Sequence, residues 1–182
     1  AGEAWTWDGV AFEVLHPGRD EQWSDNDGSC TLRVAAGGQA ALLLADTGRR
    51  AEQAMSTAAL AAEVVLVPHH GSHSSSGEAF VAAVAPRLAV VSTGFGNRFG
   101  LPREEVLRRW RDAGATVLDT AFAGAVTARV GDGELAVRVE RACRPRWWRR
   151  RAGAGGDADR LSCRPHVGDH PGWRPGHVAD PA

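Results

Sequence analysis

Glu63-Val64-Val65-Leu66-Val67-Pro68-His69-His70-Gly71-Ser72-His73-Ser74-Ser75-Ser76 is the stretch that decides the fold. Its first five residues form a short, nearly continuous apolar run, the pattern of a strand covered on both faces. The run stops at Pro68, so the imidazoles of His69 and His70 stand at a strand end. Gly71 follows, where a missing Cβ lets backbone or ligand approach closely.

Working outward, the alanine-rich residues 49–61 predict a helix, and residues 40–44 predict a strand that ends at Asp46. That strand pairs with residues 30–34 around Gly37-Gly38. At the opening, Asp8-Gly9 supplies a tight turn between extended runs at 5–7 and 10–15. Downstream, the pattern predicts a helix over 77–84, a buried strand over 88–92, and a helix over 102–113 with Pro102 in its first turn and Gly114 at its end. Strands at 116–118, 125–130 and 134–139 follow, the last two turned by Gly131-Asp132-Gly133. Hairpins, then β-α-β units, then a closing hairpin describe an α/β (α+β) fold with helices on the outer side of a sheet.

With 182 residues, 43% of them hydrophobic, the chain is long enough for one ordinary domain with a real core. Residues 1–143 read as that domain. Residues 144–182, dominated by Pro, Gly, Arg and Trp, read as a poorly ordered tail. The formal net charge of −1 hides a basic run, Arg144-Pro145-Arg146-Trp147-Trp148-Arg149-Arg150-Arg151, so net charge predicts no partner. Three cysteines without a C-x-x-C pair indicate neither a disulfide framework nor a cysteine zinc site, and Cys30 reads as a small strand hydrophobe. No stretch reaches the roughly 18 to 20 apolar residues of a spanning helix, and no signal core opens the chain, so it is expected to be soluble. The start without Met fits a fragment or a processed chain.

One intervening helix returns the chain to a neighbouring parallel position, which puts Asp46 and His69 at one sheet edge. They are candidate metal ligands there, or else a turn-forming aspartate and two loop histidines making ordinary hydrogen bonds. Two ligands do not hold a catalytic zinc, which takes three and leaves a position open for water. Ser75 with Glu78 has the spacing of a capping box, and the free N–H groups of that helix start form an anion site where Ser72 and Ser74 could meet a phosphate. The loop Thr93-Gly94-Phe95-Gly96-Asn97-Arg98-Phe99-Gly100-Leu101-Pro102 opens at the same edge. Its amide and guanidinium suit a phosphate-bearing substrate, or it is a glycine-rich connector with Arg98 in solvent.

His16 reads as structural, His73 as a solvated loop residue, and Asp25-Asn26-Asp27-Gly28 as a polar turn that lacks the later acidic ligand of a calcium loop. In the tail, His166, His170 and His177 have no frame to fix them as metal ligands. The basic, tryptophan-bearing run reads as solvated charge able to touch nucleic acid or an anionic membrane.

Taken together, His16-Pro17, Asn26-Asp27-Gly28-Ser29-Cys30-Thr31-Leu32-Arg33, Leu43-Leu44-Ala45-Asp46, Val67-Pro68-His69-His70-Gly71-Ser72 through Ser76, and Asn97-Arg98-Phe99-Gly100 resemble the later half of the β-lactamase-like domain of the ComEC/Rec2 family. The resemblance implies half of a metallo-β-lactamase αββα sandwich and a metal-dependent, nuclease-type phosphodiester hydrolase. It also implies attachment to a membrane channel that imports single-stranded DNA in natural transformation, which would place the protein at the plasma membrane through parts outside this sequence. On it, Asp46 and His69 are metal ligands, with Asp46 bridging two ions of zinc or manganese; His70 belongs to the catalytic group, and Ser72, Ser74, Asn97 and Arg98 bind substrate.

The family's first metal motif, of His-x-His-x-Asp-His type, does not occur in this sequence, so a two-ion site depends on its being supplied elsewhere. Leu101 stands where relatives often have histidine, and Ala45 where they have glycine. Two rival readings are a non-catalytic module that binds DNA or braces the channel, and a metallo-hydrolase of a small ester, lactone or lactam.

Overall fold

Asp8 and Gly9 both take positive φ, 50° and 77°, and turn β1 (Ala4–Trp7) back onto β2 (Val10–His16). Gly37 and Gly38, at 57° and 79°, do the same between β3 (Thr31–Ala36) and β4 (Gln39–Leu44). These are the positive-φ pairs that match a tight hairpin to strand twist. Beyond β4 the connections become helical and the pairing parallel. In order come α1 (Arg49–Ala54), β5 (Val64–Leu66), α2 (Glu78–Val84), β6 (Leu88–Val91), α3 (Glu104–Asp112) and β7 (Thr116–Asp119). The result is a seven-stranded mixed sheet in sequential order, followed by α4 (Thr120–Ala123), a separate hairpin of β8 (Val126–Gly131) and β9 (Glu134–Val139), and α5 (Glu140–Cys143). This computed structural model describes residues 1–56, 58–131 and 133–143; the expected tail, with its basic run and three histidines, lies outside the described residues.

Period-two alternation assigns the faces of the parallel strands. Leu42, Leu44, Val65, Ala89, Val91 and Val117 are buried with Phe80 and Val84 of α2 and Val106 and Trp110 of α3. Their alternates Val64, Leu88 and Leu118 pack with Val126, Val137 and Val139 of the β8–β9 hairpin. The parallel half is therefore covered on both faces, which its continuous apolar strands require. The antiparallel half is not. The pairings Trp5↔Phe12 and Val14↔Leu32↔Leu43 put these residues on the hairpin's face, yet Trp5 is 47% exposed, Trp7 74% and Leu43 41%.

Two expectations are corrected. The helix predicted over 49–61 stops at Ala54, because Met55 and Leu60 leave it for the core. Burying each is worth about 1.5–3 kcal/mol, against at most about 0.7 kcal/mol per residue of helix preference. Cys30 is not a strand hydrophobe: it is exposed just ahead of β3, where Thr31 takes the first inward position.

Candidate active site

Strands β4, β5 and β6 end side by side, and the histidine loop is built across their carboxyl ends. Pro68–Gly71 forms a 3-10 turn in which His69 and His70 have φ of 49° and 53°. Each left-handed non-glycine residue costs on the order of 1–3 kcal/mol, so the surroundings must hold the loop. His69 N–H donates to the Ala45 carbonyl (3.0 Å), and Arg103 N–H to that of Gly71 (2.9 Å). The buried Ser75 hydroxyl lies 3.0 Å from the carbonyls of both Pro68 and Ser72.

The backbone twist sends the two imidazoles to different partners. His69 Nε2 lies 3.2 Å from the Asn26 amide Nδ2, and its Nδ1 lies 3.1 Å from Ser74 Oγ. An amide NH₂ only donates, so Nε2 accepts and Nδ1–H donates, and both nitrogens of His69 are occupied. His70 Nδ1 lies 2.7 Å from the Ser92 carbonyl at the end of β6. A carbonyl only accepts, so His70 carries its proton on Nδ1 and presents Nε2 to Asp46 Oδ1 at 3.4 Å. Both of these side chains are about half exposed.

The expected capping box is absent. Helix α2 starts at Glu78 with Gly77 as its cap residue and no side-chain cap bond, which leaves Ser75 upstream of the helix start and committed to the histidine loop. The expected phosphate site there is already filled by the chain's own carboxylate. Glu52 of α1, buried, accepts from Ser76 N–H (2.5 Å) and Gly77 N–H (2.8 Å). Burial pushes its carboxyl above the usual value, against the lowering effect of those two bonds and of Arg49 and Arg109. Ser76 is fully buried with φ 57°; its carbonyl accepts from Arg109 Nη1 (2.6 Å) and its hydroxyl from Trp110 Nε1 (3.2 Å). One residue thus ties the end of the histidine loop to α1 and α3.

The structure brings Asp46, His69, His70, Ser72 and Ser74 together around this loop, the two serine hydroxyls 3.1 Å apart. Asn97 is engaged within its own loop, its amide bonding Gly94 and Leu101 backbone, while Arg98 is exposed. Sequence reasoning missed Asn26 as a partner of His69, the Ser92 carbonyl as the anchor of His70, and Glu52. It took 25–28 for a plain polar turn. There Asp27 also accepts from Gly48 N–H (3.2 Å), and its carbonyl accepts from the buried His16 Nε2 (2.6 Å). A cleft of about 750 Å³ opens beside His69, lined by Asn26, Asp27, Arg49, Arg50 and Ser74 among others, a volume suited to a ligand. A smaller cavity of about 370 Å³ between α1 and α2 touches Glu52 and neither histidine of the pair.

For a metal, Asp46 Oδ1 and His70 Nε2 are a carboxylate and an imidazole at the spacing of two donors to one ion, and the Nδ1–H bond to a carbonyl is the usual support of a ligand histidine. No group of three or more His, Cys, Asp or Glu that could hold an ion occurs among the described residues. The edge falls short of the donor set a catalytic zinc takes, so these residues do not form a metal centre by themselves.

A layered α/β domain with a polar cluster at the carboxyl ends of its parallel strands is the architecture in which open sheets hold ligands. The chain belongs to the ComEC/Rec2 family. It is 39% identical over 136 residues (73% of this chain) to the competence protein ComA of Neisseria gonorrhoeae. It is 30% identical over 150 residues (82%) to recombination protein 2 of Haemophilus influenzae, and 32% over 122 (66%) to the ComE operon protein 3 of Bacillus subtilis. These matches cover 20%, 19% and 16% of the relatives, so the chain spans at most about a fifth of their length. No protein-family model matches the chain. Among the described residues no helix is long and apolar enough to cross a membrane.

Proposed function

We propose that the chain forms one wall of a nuclease-type phosphodiester hydrolase site in a DNA-uptake protein, joined to a membrane channel through parts outside this sequence. The observation that carries this is His70: its proton is fixed on Nδ1 by Ser92, and its Nε2 is presented beside the Asp46 carboxylate at a strand edge. In that arrangement Nε2 can accept a proton and Asp46 stabilises the resulting imidazolium, which is general acid–base machinery. His69, held by Asn26 and Ser74, shapes the adjoining cleft, and Arg49, Arg50 and Arg98 supply positive charge for phosphates. A divalent ion, zinc or manganese, with Asp46 and His69 as expected ligands, needs donors beyond the described residues, and the geometry adds His70 as a candidate.

The test is cleavage of labelled oligonucleotides by the full-length protein with manganese or zinc. Asp46→Ala, His69→Ala and His70→Ala should each lower the rate by about a hundredfold or more. Cleavage surviving these substitutions would sink the assigned site. The shortage of metal donors favours a second reading, a non-catalytic module that binds DNA or braces the channel. Absence of cleavage with DNA binding retained would select it.

A further inference from the structure

The loop between β6 and α3 is fastened to the histidine loop at both ends. At its start, the Ser92 carbonyl accepts from His70; at its finish, Arg103 N–H donates to the Gly71 carbonyl. Inside, Asn97 Nδ2 donates to the carbonyls of Gly94 (3.0 Å) and Leu101 (2.6 Å), and its Oδ1 accepts from Leu101 N–H (3.1 Å). Thr93 adds bonds to Asp119 and Thr120. The loop is thus shaped in advance, so a ligand that uses it bears little ordering cost.

What this scaffold holds outward is aromatic and cationic. Phe95 is 52% exposed and Phe99 63%. Phe95 meets Phe122 edge-on at 5.9 Å, and the Arg98 guanidinium lies 4.9 Å from the Phe99 ring centroid. Residues 93–103 include two arginines and no carboxylate. Single exposed apolar residues are common on protein surfaces, but two phenyl rings with a guanidinium on one prearranged loop match the parts that hold unpaired nucleotides: flat faces for bases and a cation for phosphate. A duplex keeps its base faces stacked inside and offers no face to these rings.

We propose that Phe99, with Phe95 and Arg98, is a stacking platform for unpaired bases that gives the neighbouring site its preference for single strands. This rests on DNA being the substrate. Fluorescence anisotropy of the full-length protein with labelled oligothymidine, and with a hairpin duplex of matching length, tests it. Phe99→Ala should weaken oligothymidine binding by about tenfold, the effect of one lost stacking partner, and leave duplex binding unchanged. Phe99→Trp should retain single-strand binding, and Arg98→Ala should lower the salt slope by about one. Equal losses on both probes, or no loss with Phe99→Ala, overturn the platform while cleavage through His70 stands. If the unsubstituted protein binds neither probe, the platform and the DNA reading fall together.

Discussion

Replacing Glu52 with alanine tests the link between α1 and the histidine loop. The substitution leaves the N–H groups of Ser76 and Gly77 without their acceptor. Ser76 is fully buried and bears the whole penalty of an unmade bond, about 1–3 kcal/mol; Gly77 is only partly buried, so water replaces most of what it loses. Removing a carboxylate whose burial is unfavourable returns part of this, giving a net loss of about 2 kcal/mol near neutral pH.

The pH dependence fixes the sign. The folded carboxyl titrates above its ordinary value of 4.5, so the folded state favours the protonated form. Its contribution to stability is greatest below the unfolded value, declines as pH climbs through the interval up to the raised folded value, and is constant beyond. The alanine protein lacks this titration. Urea unfolding followed by tryptophan fluorescence should show a midpoint about 1 M lower for Glu52→Ala at neutral pH, with the gap widest in acid and narrowing as pH rises. A gap that widens from acid to neutral pH would mean that the N–H bonds and arginines more than repay burial, and would refute the reasoning.

Two further predictions concern the same edge. Gly71→Ala would set a Cβ 2.7 Å from the Pro102 Cβ at a φ of 75°, so it should destabilise the protein by about 2 kcal/mol or more, read as a lower melting temperature. Asn97→Ala removes three hydrogen bonds that fold the second loop; limited proteolysis should show cleavage within 93–101 many times faster, while global stability falls by only about 1 kcal/mol.

Strands β5 and β6 were legible because buried parallel strands are uniformly apolar, and the first two hairpins because Asp8-Gly9 and Gly37-Gly38 are turn chemistry. The end of α1 was not, since the burial of Met55 and Leu60 is a tertiary fact that local propensity does not carry. At the site, Asp46, His69 and His70 could be placed at one edge from strand order alone. Their supports were hidden for physical reasons. Asn26 acts 43 positions from His69 and Glu52 acts 25 from Gly77, while Ser92 contributes only a backbone carbonyl, which no side-chain pattern announces. The capping-box pattern at Ser75 and Glu78 misled because a buried carboxylate from another helix took the N–H groups first.

The open aromatic side of the antiparallel strands has a consequence for handling the protein. A surface with Trp5, Trp7 and Leu43 in water makes this chain an amphiphile. Isolated from whatever normally shields that side, it will adsorb hydrophobic dyes and self-associate as concentration rises. Sulfate-type salts will bring it out of solution early, because they strengthen burial of apolar area. Its colloidal behaviour will therefore be governed by a region remote from its histidines.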